Sequence, residues 1–105
     1  MVSTDRVIDK KLDAMAVIES QFLEGGVSGH EGRIPKNEAE HSEGLKRLRE
    51  RFNRRFERTA DRFREKLIEV YGEEMGKAVK SAEAFEVCEY GRRPSEKELK
   101  ELFLF

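Results

Sequence analysis

The sequence predicts a mainly α-helical protein with a single domain. Apolar residues recur at helical spacing in two long segments, and glycines concentrate between these segments. Alternation of apolar and polar residues is confined to one short segment near the C-terminus. A chain of 105 residues is sufficient for one domain. Because 41% of the residues are charged and only 37% are hydrophobic, we expect a small core.

The first predicted helix covers residues 5–24. Its apolar residues follow i, i+4 and i+7 spacing, which is typical of one buried face of a helix. This face consists of Val7, Ile8, Leu12, Met15, Ile18 and Phe22. Ser3 or Thr4 can cap the N-terminus, and two glycines end the helix. Residues 25–41, with four glycines and one proline, are predicted to form a loop.

The second predicted helix covers residues 42–80, and its most regular part runs from Ser42 to Tyr71. One face carries an apolar seam, which we predict to be an interaction face packed against the first helix. The seam consists of Leu45, Leu48, Phe52, Phe56, Phe63 and Leu67, with Thr59 or Ala60 filling the gap. A helix of about 30 residues is ~45 Å long, which exceeds the width of a compact chain of this length. We therefore expect a homo-oligomer, with a dimer favoured, or a partner subunit that covers the overhanging part.

The C-terminal part is predicted to contain a short strand and a short helix. Residues 84–90 alternate between apolar and polar side chains, which is typical of a strand. A lone strand needs a neighbouring strand, from this chain or from another. Ser95 and Glu98 have the spacing of a capping box, which predicts a final helix over residues 95–104.

No pattern in the sequence predicts a catalytic site, a cofactor or a metal site. His30 and His41 lie in the predicted loop without the spacing of metal ligands, and Cys88 is the single cysteine. The glycines of the loop follow a helix rather than a strand and precede no Lys-Ser or Lys-Thr, so they do not form a phosphate-binding loop. No serine lies in a nucleophile-elbow motif.

The composition indicates a cytoplasmic protein that does not bind membranes. No stretch approaches the ~18 apolar residues of a membrane-spanning helix, and the N-terminus lacks the pattern of a secretory signal. A single cysteine excludes an intramolecular disulfide and fits a reducing compartment. The abundance of Glu, Lys and Arg is similar to that of proteins from thermophiles.

The second helix is strongly basic. Residues 46–66 contain ten Lys and Arg against four acidic residues, while the whole chain has a net charge of −1. One interpretation is a phosphate-binding face for nucleic acid. The residues of this face are Arg47, Arg51, Arg54, Arg55, Arg58 and Arg62. The alternative is a solvated helix face with intrahelical ion pairs, such as Arg54 with Glu50.

Two segments together resemble the C-terminal part of the LmbE-like (PIG-L) zinc-dependent N-deacetylases. The sequence KLDAMAVIESQF at residues 11–22 is similar to a helix of that family that ends in Ser-Gln-Phe. The sequences VYGEEMG at residues 70–76 and AEAF at residues 82–85 are similar to the family's last helix and strand. The resemblance places Gln21 and Glu83 nearest the family's substrate side. The alternative for Gln21 is an ordinary helix-end residue, and for Glu83 an ordinary solvated acid.

The zinc-binding part of the family is not present in this sequence. The family's His-Pro-Asp-Asp and His-x-Asp-His motifs do not occur, and Ile18 stands where the family often has an aromatic residue or His. The resemblance therefore implies a non-catalytic, self-associating helical protein without zinc. Two alternatives stay open, a helical protein that binds nucleic acid and one half of a split N-deacetylase that is active only with a zinc-bearing partner.

Overall fold

The structure, a computed structural model, describes residues 1–103, apart from the side chain of Phe103. The fold is mainly helical, as the sequence predicts. Its elements in chain order are β1 (Val2–Ser3), α1 (Ile8–Val17), α2 (Glu19–Phe22), α3 (Glu38–Arg62), α4 (Arg64–Tyr71), α5 (Glu73–Ala78), β2 (Ala82–Glu83) and α6 (Glu96–Phe103). Two short 3₁₀ turns, Gly26–Ser28 and Glu31–Arg33, lie between α2 and α3. Residue 104 of the predicted final helix lies outside the described residues.

The first predicted helix is present as two helices, α1 and α2, which meet at Ile18. The backbone of Ile18 has φ −90° and ψ 64°, outside the helical region. Val17 and Ile18 are both β-branched, and β-branched side chains lower helix propensity. α1 begins at Ile8 and not at residue 5, because Thr4 and Asp5 form hydrogen bonds with the C-terminal half of the chain.

Helix α3 corresponds to the first part of the second predicted helix. It begins at Glu38, earlier than the predicted start at residue 42. Asn37 caps it, since Oδ1 of Asn37 accepts a hydrogen bond from the backbone N–H of Glu40 at 2.9 Å. In return, the carboxylate of Glu40 accepts from the backbone N–H of Lys36 at 2.9 Å. This arrangement is close to a capping box, and its Asn-x-x-Glu signal lies inside the predicted loop.

The helical segment predicted over residues 42–80 consists of three helices. α3 ends at Arg62, because Phe63 has φ −114° and ψ 30° and leaves the helical conformation. Gly72, with φ +83°, forms the turn between α4 and α5 and allows these helices to pack against each other. Glycine adopts this φ without strain, whereas other residues rarely do. The continuous part, α3, is therefore only ~37 Å long.

The backbones of helices α4 and α5 lie close together at Gly76. A Cβ atom at this position would lie 2.5 Å from Cα and 2.6 Å from N of Ile68, so only glycine fits without a backbone shift. Arg64 stabilises the end of α5, because its Nη1 donates to the carbonyl of Gly76 at 3.0 Å and to that of Val79 at 2.6 Å. A cation is favoured at this negative end of a helix.

The strand that follows the helices lies at Ala82–Glu83 and not at the predicted residues 84–90. It pairs antiparallel with β1 at the N-terminus, with Ser3 opposite Ala82 and Val2 opposite Glu83. Residues 84–90 have the alternating pattern of a strand, but no other strand lies beside them in the described chain. An alternating sequence does not fold into a strand unless a neighbouring strand supplies hydrogen-bond partners for its backbone groups.

A group of hydrogen bonds beside the sheet, the N-terminal junction, joins the start of the chain to the end of α5. It consists of Thr4, Asp5, Lys80 and Ser81. The carboxylate of Asp5 accepts from the backbone N–H of Lys80 at 3.0 Å, from that of Ser81 at 2.6 Å and from the Ser81 hydroxyl at 2.7 Å. The backbone N–H of Thr4 donates to the carbonyl of Ser81 at 2.9 Å. Thr4 and Ser81 are both buried.

The buried core is small and lies mainly beneath this junction. Its main cluster is formed by Ala60, Leu67, Val79 and Ala82, with Met1 and Tyr71 packed against it. Further along α3, Leu48 and Phe56 are buried, as is Leu12 of α1. The core therefore connects α3 with α1, α4, α5 and the sheet.

We predict that Gly76→Ala destabilises the protein by about 1–3 kcal/mol, because the added methyl group overlaps the backbone of Ile68. The measurement is the free energy of unfolding from urea denaturation followed by circular dichroism. Gly32→Ala is the matched control, because the nearest atoms to a Cβ there belong to the side chain of His30. We expect that control to change stability by less than about 0.5 kcal/mol. Equal effects of the two substitutions would contradict the close helix approach.

We predict that the free energy of unfolding decreases when the pH is lowered, because the carboxylate of Asp5 becomes protonated. Partial burial raises the pKa of this carboxyl, but hydrogen bonds from the backbone of Lys80 and from the hydroxyl and backbone of Ser81 outweigh burial and hold the pKa below its ordinary value. The ionised carboxylate of Asp5 therefore contributes its full stabilisation of the folded state at pH values above the unfolded-state pKa of about 3.9. It is lost as the pH falls through the lower pKa of the folded state.

The test is the free energy of unfolding of Asp5→Asn and of the unaltered protein at pH 7 and at pH 2. We expect the substitution to cost about 1 kcal/mol at pH 7, because charged hydrogen bonds of a solvent-screened carboxylate are lost, and to cost much less at the acid pH. Asp9→Asn in α1 is the control, because the side chain of Asp9 forms no hydrogen bond or ion pair within residues 1–103. A cost for Asp5→Asn that is independent of pH would contradict the role of the ionised carboxylate.

Candidate interaction surfaces

The apolar seam, which runs along α3 and into α4, is largely covered within the chain itself. Leu48, Phe56 and Leu67 are only 3%, 8% and 0% exposed, whereas Leu45, Phe52 and Phe63 are half-buried. The ring of Phe52 meets that of Phe22 edge to face, with ring centroids 5.2 Å apart. This contact joins the seam to the first helical segment. The use of the seam as an interface between chains stays a prediction, which now concerns only its half-buried members.

The arginines of α3 lie together on one side of the helix. Their spacing places them within a sector of about 100° of the helix circumference, beside the seam. They are Arg47, Arg51, Arg54, Arg55, Arg58 and Arg62. The structure therefore brings together the six residues that the sequence predicts as a basic face.

Three of these six arginines have a neighbour within the chain. The guanidinium of Arg51 donates to the carbonyl of Phe22 at 3.0 Å and lies over the ring of Phe52, 5.0 Å from its centroid. Arg62 lies over the ring of Phe63 at 5.3 Å. Arg47 forms a long, exposed ion pair with Glu43 at 3.6 Å, an interaction that contributes little in water.

The guanidinium groups of the other three arginines, Arg54, Arg55 and Arg58, form no ion pair or hydrogen bond within residues 1–103. The intrahelical ion pair expected between Arg54 and Glu50 is not formed. Glu57 instead accepts a hydrogen bond from the side chain of Asn53 at 2.8 Å. Of the six arginines, only Arg47 therefore pairs with an acidic residue of its own helix.

The basic face borders two adjacent cavities that share Phe22, and we call the whole the arginine groove. The first cavity, of about 570 Å³, lies between α3 and the loop and is bordered by Arg47, Arg51 and Arg54. The second, of about 580 Å³, lies between α3, α1 and β2 and is bordered by Arg55, Arg58 and Arg62. Apolar residues line both cavities, including Leu23, Ile34, Met15, Phe52 and Phe63.

The two segments that resemble the deacetylase family meet through an ion pair. Nζ of Lys11 lies 2.7 Å from Oε1 of Glu83 and 5.1 Å from the centroid of the Phe56 ring. Both charged side chains are about one-third exposed. Gln21 is exposed and lines a shallow cavity beside His30, whereas Glu83 lines the arginine groove. The two residues predicted on the substrate side thus border different cavities.

The histidines and the cysteine do not come together as a chemical site. Nε2 of His41 lies 2.9 Å from a carboxylate oxygen of Glu19, and His30 is exposed in the loop. Cys88 is exposed beyond β2. Among the described residues, no group of three or more His, Cys, Asp or Glu side chains is arranged to hold a metal ion.

A third cavity, the C-terminal groove, lies between β1, α4, the segment after β2 and α6. Its volume is about 680 Å³. The apolar residues that line it are Met1, Val2, Val70, Phe85, Val87, Pro94, Leu99 and Leu102. Phe85, Val87 and Leu102 are 58%, 40% and 71% exposed. The sequence pattern predicts a strand over residues 84–90 and a final helix over residues 95–104. It does not predict that these segments contact Met1 and Val2, because that contact depends on the pairing of β1 with β2.

Comparison with known protein families, with curated proteins and with solved structures found no match to this chain. Within residues 1–103, no helix is long and apolar enough to cross a membrane.

We predict that Lys11 and Glu83 are energetically coupled by about 1 kcal/mol, because their ion pair is half-buried and Lys11 also packs on Phe56. The measurement is a double-mutant cycle of unfolding free energies with Lys11→Met, Glu83→Gln and the double variant. A parallel cycle on the exposed pair of Lys77 and Glu73 is the control, with an expected coupling of about 0.3 kcal/mol. No coupling between Lys11 and Glu83 would contradict a stabilising contact between the two segments.

Proposed function

We propose that this protein is a non-catalytic helical protein that functions by self-association and that corresponds to the C-terminal part of an LmbE-like deacetylase. One observation carries the self-association. The chain exposes 8358 Å², whereas a compact monomer of this size exposes about 6,100 Å². The excess of roughly 2,000 Å² is more than the ~800 Å² that each partner buries in a protein interface of standard size.

The radius of gyration supports the same proposal. Its value is 17.1 Å, whereas a compact domain of this length has about 13 Å. A chain with this large a radius of gyration leaves much apolar surface accessible to water. Burial of that surface against a second copy would stabilise the folded state.

The C-terminal groove is the surface that we assign to the second copy. Backbone groups of residues 86–90 form no hydrogen bond within the described part of the chain. An exposed segment whose backbone groups are unpaired pairs readily with another strand. Antiparallel pairing of two copies of this segment about a two-fold axis satisfies both backbones equally, and it brings the apolar side chains of the two grooves together.

The relation to the deacetylase family rests on the two resembling segments and their contact. Lys11 lies in the first segment and Glu83 in the second, and their side chains form an ion pair at 2.7 Å. The absent zinc-binding motifs are the reason to propose a non-catalytic role. Zinc enzymes of this kind hold the metal with His and carboxylate ligands, and the sequence has only two histidines.

We predict that the purified protein is a dimer with a mass twice that of the 12.2 kDa chain, and that it retains no zinc. The measurement is light scattering over a range of protein concentrations, with metal analysis of the same sample. A monomer at every concentration would contradict the self-association. One zinc ion per chain would contradict the non-catalytic assignment.

Val87→Asp is the variant that assigns the interface, because a buried charge opposes dimer formation through the C-terminal groove. We expect it to shift the mass towards the monomer. Val27→Asp is the matched control, since Val27 is fully exposed in the loop and distant in sequence from the groove. A Val87→Asp protein that stays folded and fully dimeric would place the interface elsewhere.

A further inference from the structure

We propose that the arginine groove is a second binding surface and that it binds an acidic amphipathic helix of another protein. This inference does not depend on self-association, because the groove and the C-terminal groove have no lining residue in common.

The charge of the groove is the first argument. Eight cationic and three acidic side chains line its two cavities, which leaves a surplus of five positive charges. Of the acidic residues, Glu40 already accepts from the backbone of Lys36, and Glu83 is paired with Lys11. The guanidinium groups of Arg54, Arg55 and Arg58 have no partner in the described chain. Carboxylates of a partner would therefore meet arginines with free hydrogen-bond donors.

The apolar floor of the groove is the second argument. Phe22, Phe52 and Phe63 are half-buried and line the second cavity together with arginines of α3 and residues of α1. From Arg47 to Arg62 the groove follows α3 for ~22 Å, which equals the length of about four helical turns. A helix that presents one apolar stripe to this floor and carboxylates to the arginines would satisfy both parts of the surface.

The aromatic rings argue against single-stranded nucleic acid as the partner. Arg51 lies over Phe52, Lys11 over Phe56 and Arg62 over Phe63, so a cation of the chain already occupies one face of each of these three rings. Proteins that bind single strands stack the bases on accessible ring faces.

The test uses a synthetic helical peptide of about 15 residues, which spans the ~22 Å of the groove. The peptide carries leucines at i, i+3, i+4 and i+7 and glutamates at the other positions. Binding is measured by fluorescence anisotropy at low and at physiological salt. The first comparison is a scrambled peptide of the same composition, and the second is a single-stranded oligonucleotide. We expect the amphipathic peptide to bind at least about tenfold more tightly than either of them.

The variant that assigns the surface combines Arg54→Gln, Arg55→Gln and Arg58→Gln. We expect it to weaken peptide binding at least about tenfold. Its charge-matched control combines Arg6→Gln, Lys10→Gln and Arg93→Gln, three exposed cations outside the groove, and should bind as the unaltered protein does. Light scattering of both variants should give an unchanged mass, so that a failure of this proposal is distinguishable from a failure of self-association.

Three results would overturn the proposal. Equal affinity for the amphipathic and scrambled peptides would leave only unspecific charge attraction. Tighter binding of the oligonucleotide would identify nucleic acid as the partner. Equal loss of affinity in the groove variant and its charge-matched control would show that the net charge of the chain, and not the groove, determines binding.

Discussion

The hydrogen bonds of the Asp5 carboxylate are the constraint on which the rest of this fold depends. One carboxylate binds the backbone of Lys80 and Ser81 and the hydroxyl of Ser81, and so joins the start of the chain to the end of its helical region. The adjacent pairing of β1 with β2 involves only two residues on each strand. A sheet of that size is not stable by itself. The junction and the core beneath it therefore hold the termini of the helical region together.

This junction positions both interaction surfaces. Because β1 is held beside β2, Met1 and Val2 become one wall of the C-terminal groove. Because α1 follows directly from the junction, its Lys11 reaches Glu83 and its apolar face packs on α3. The arginine groove is the space that remains between these elements. Loss of the junction would alter both grooves at once, although neither contains Asp5.

Exposed apolar residues and arginines without ion-pair partners explain why the chain is suited to association with a partner. The seam and a few residues of other elements supply the small core, while several large apolar residues stay on the surface, among them Val17, Val27 and Tyr90. Only one of the arginines beside the seam, Arg47, pairs with an acidic residue of α3, and the guanidinium groups of three others have no partner in the described residues. A chain with few buried residues and unpaired charges gains more from a partner than a compact domain does.

The sequence by itself determined the helical class, the apolar seam and the common side of the six arginines, because these follow from local periodicity. Only the tertiary structure decided where the helices end. Phe63 and Gly72 divide the long segment so that Gly76 can pack on Ile68. The tertiary structure also places the strand at residues 82–83, and not at the predicted residues 84–90, because β1 supplies the backbone hydrogen-bond partners there. Asp5 and Ser81 are 76 residues apart, and no local pattern reveals a hydrogen bond between such distant residues.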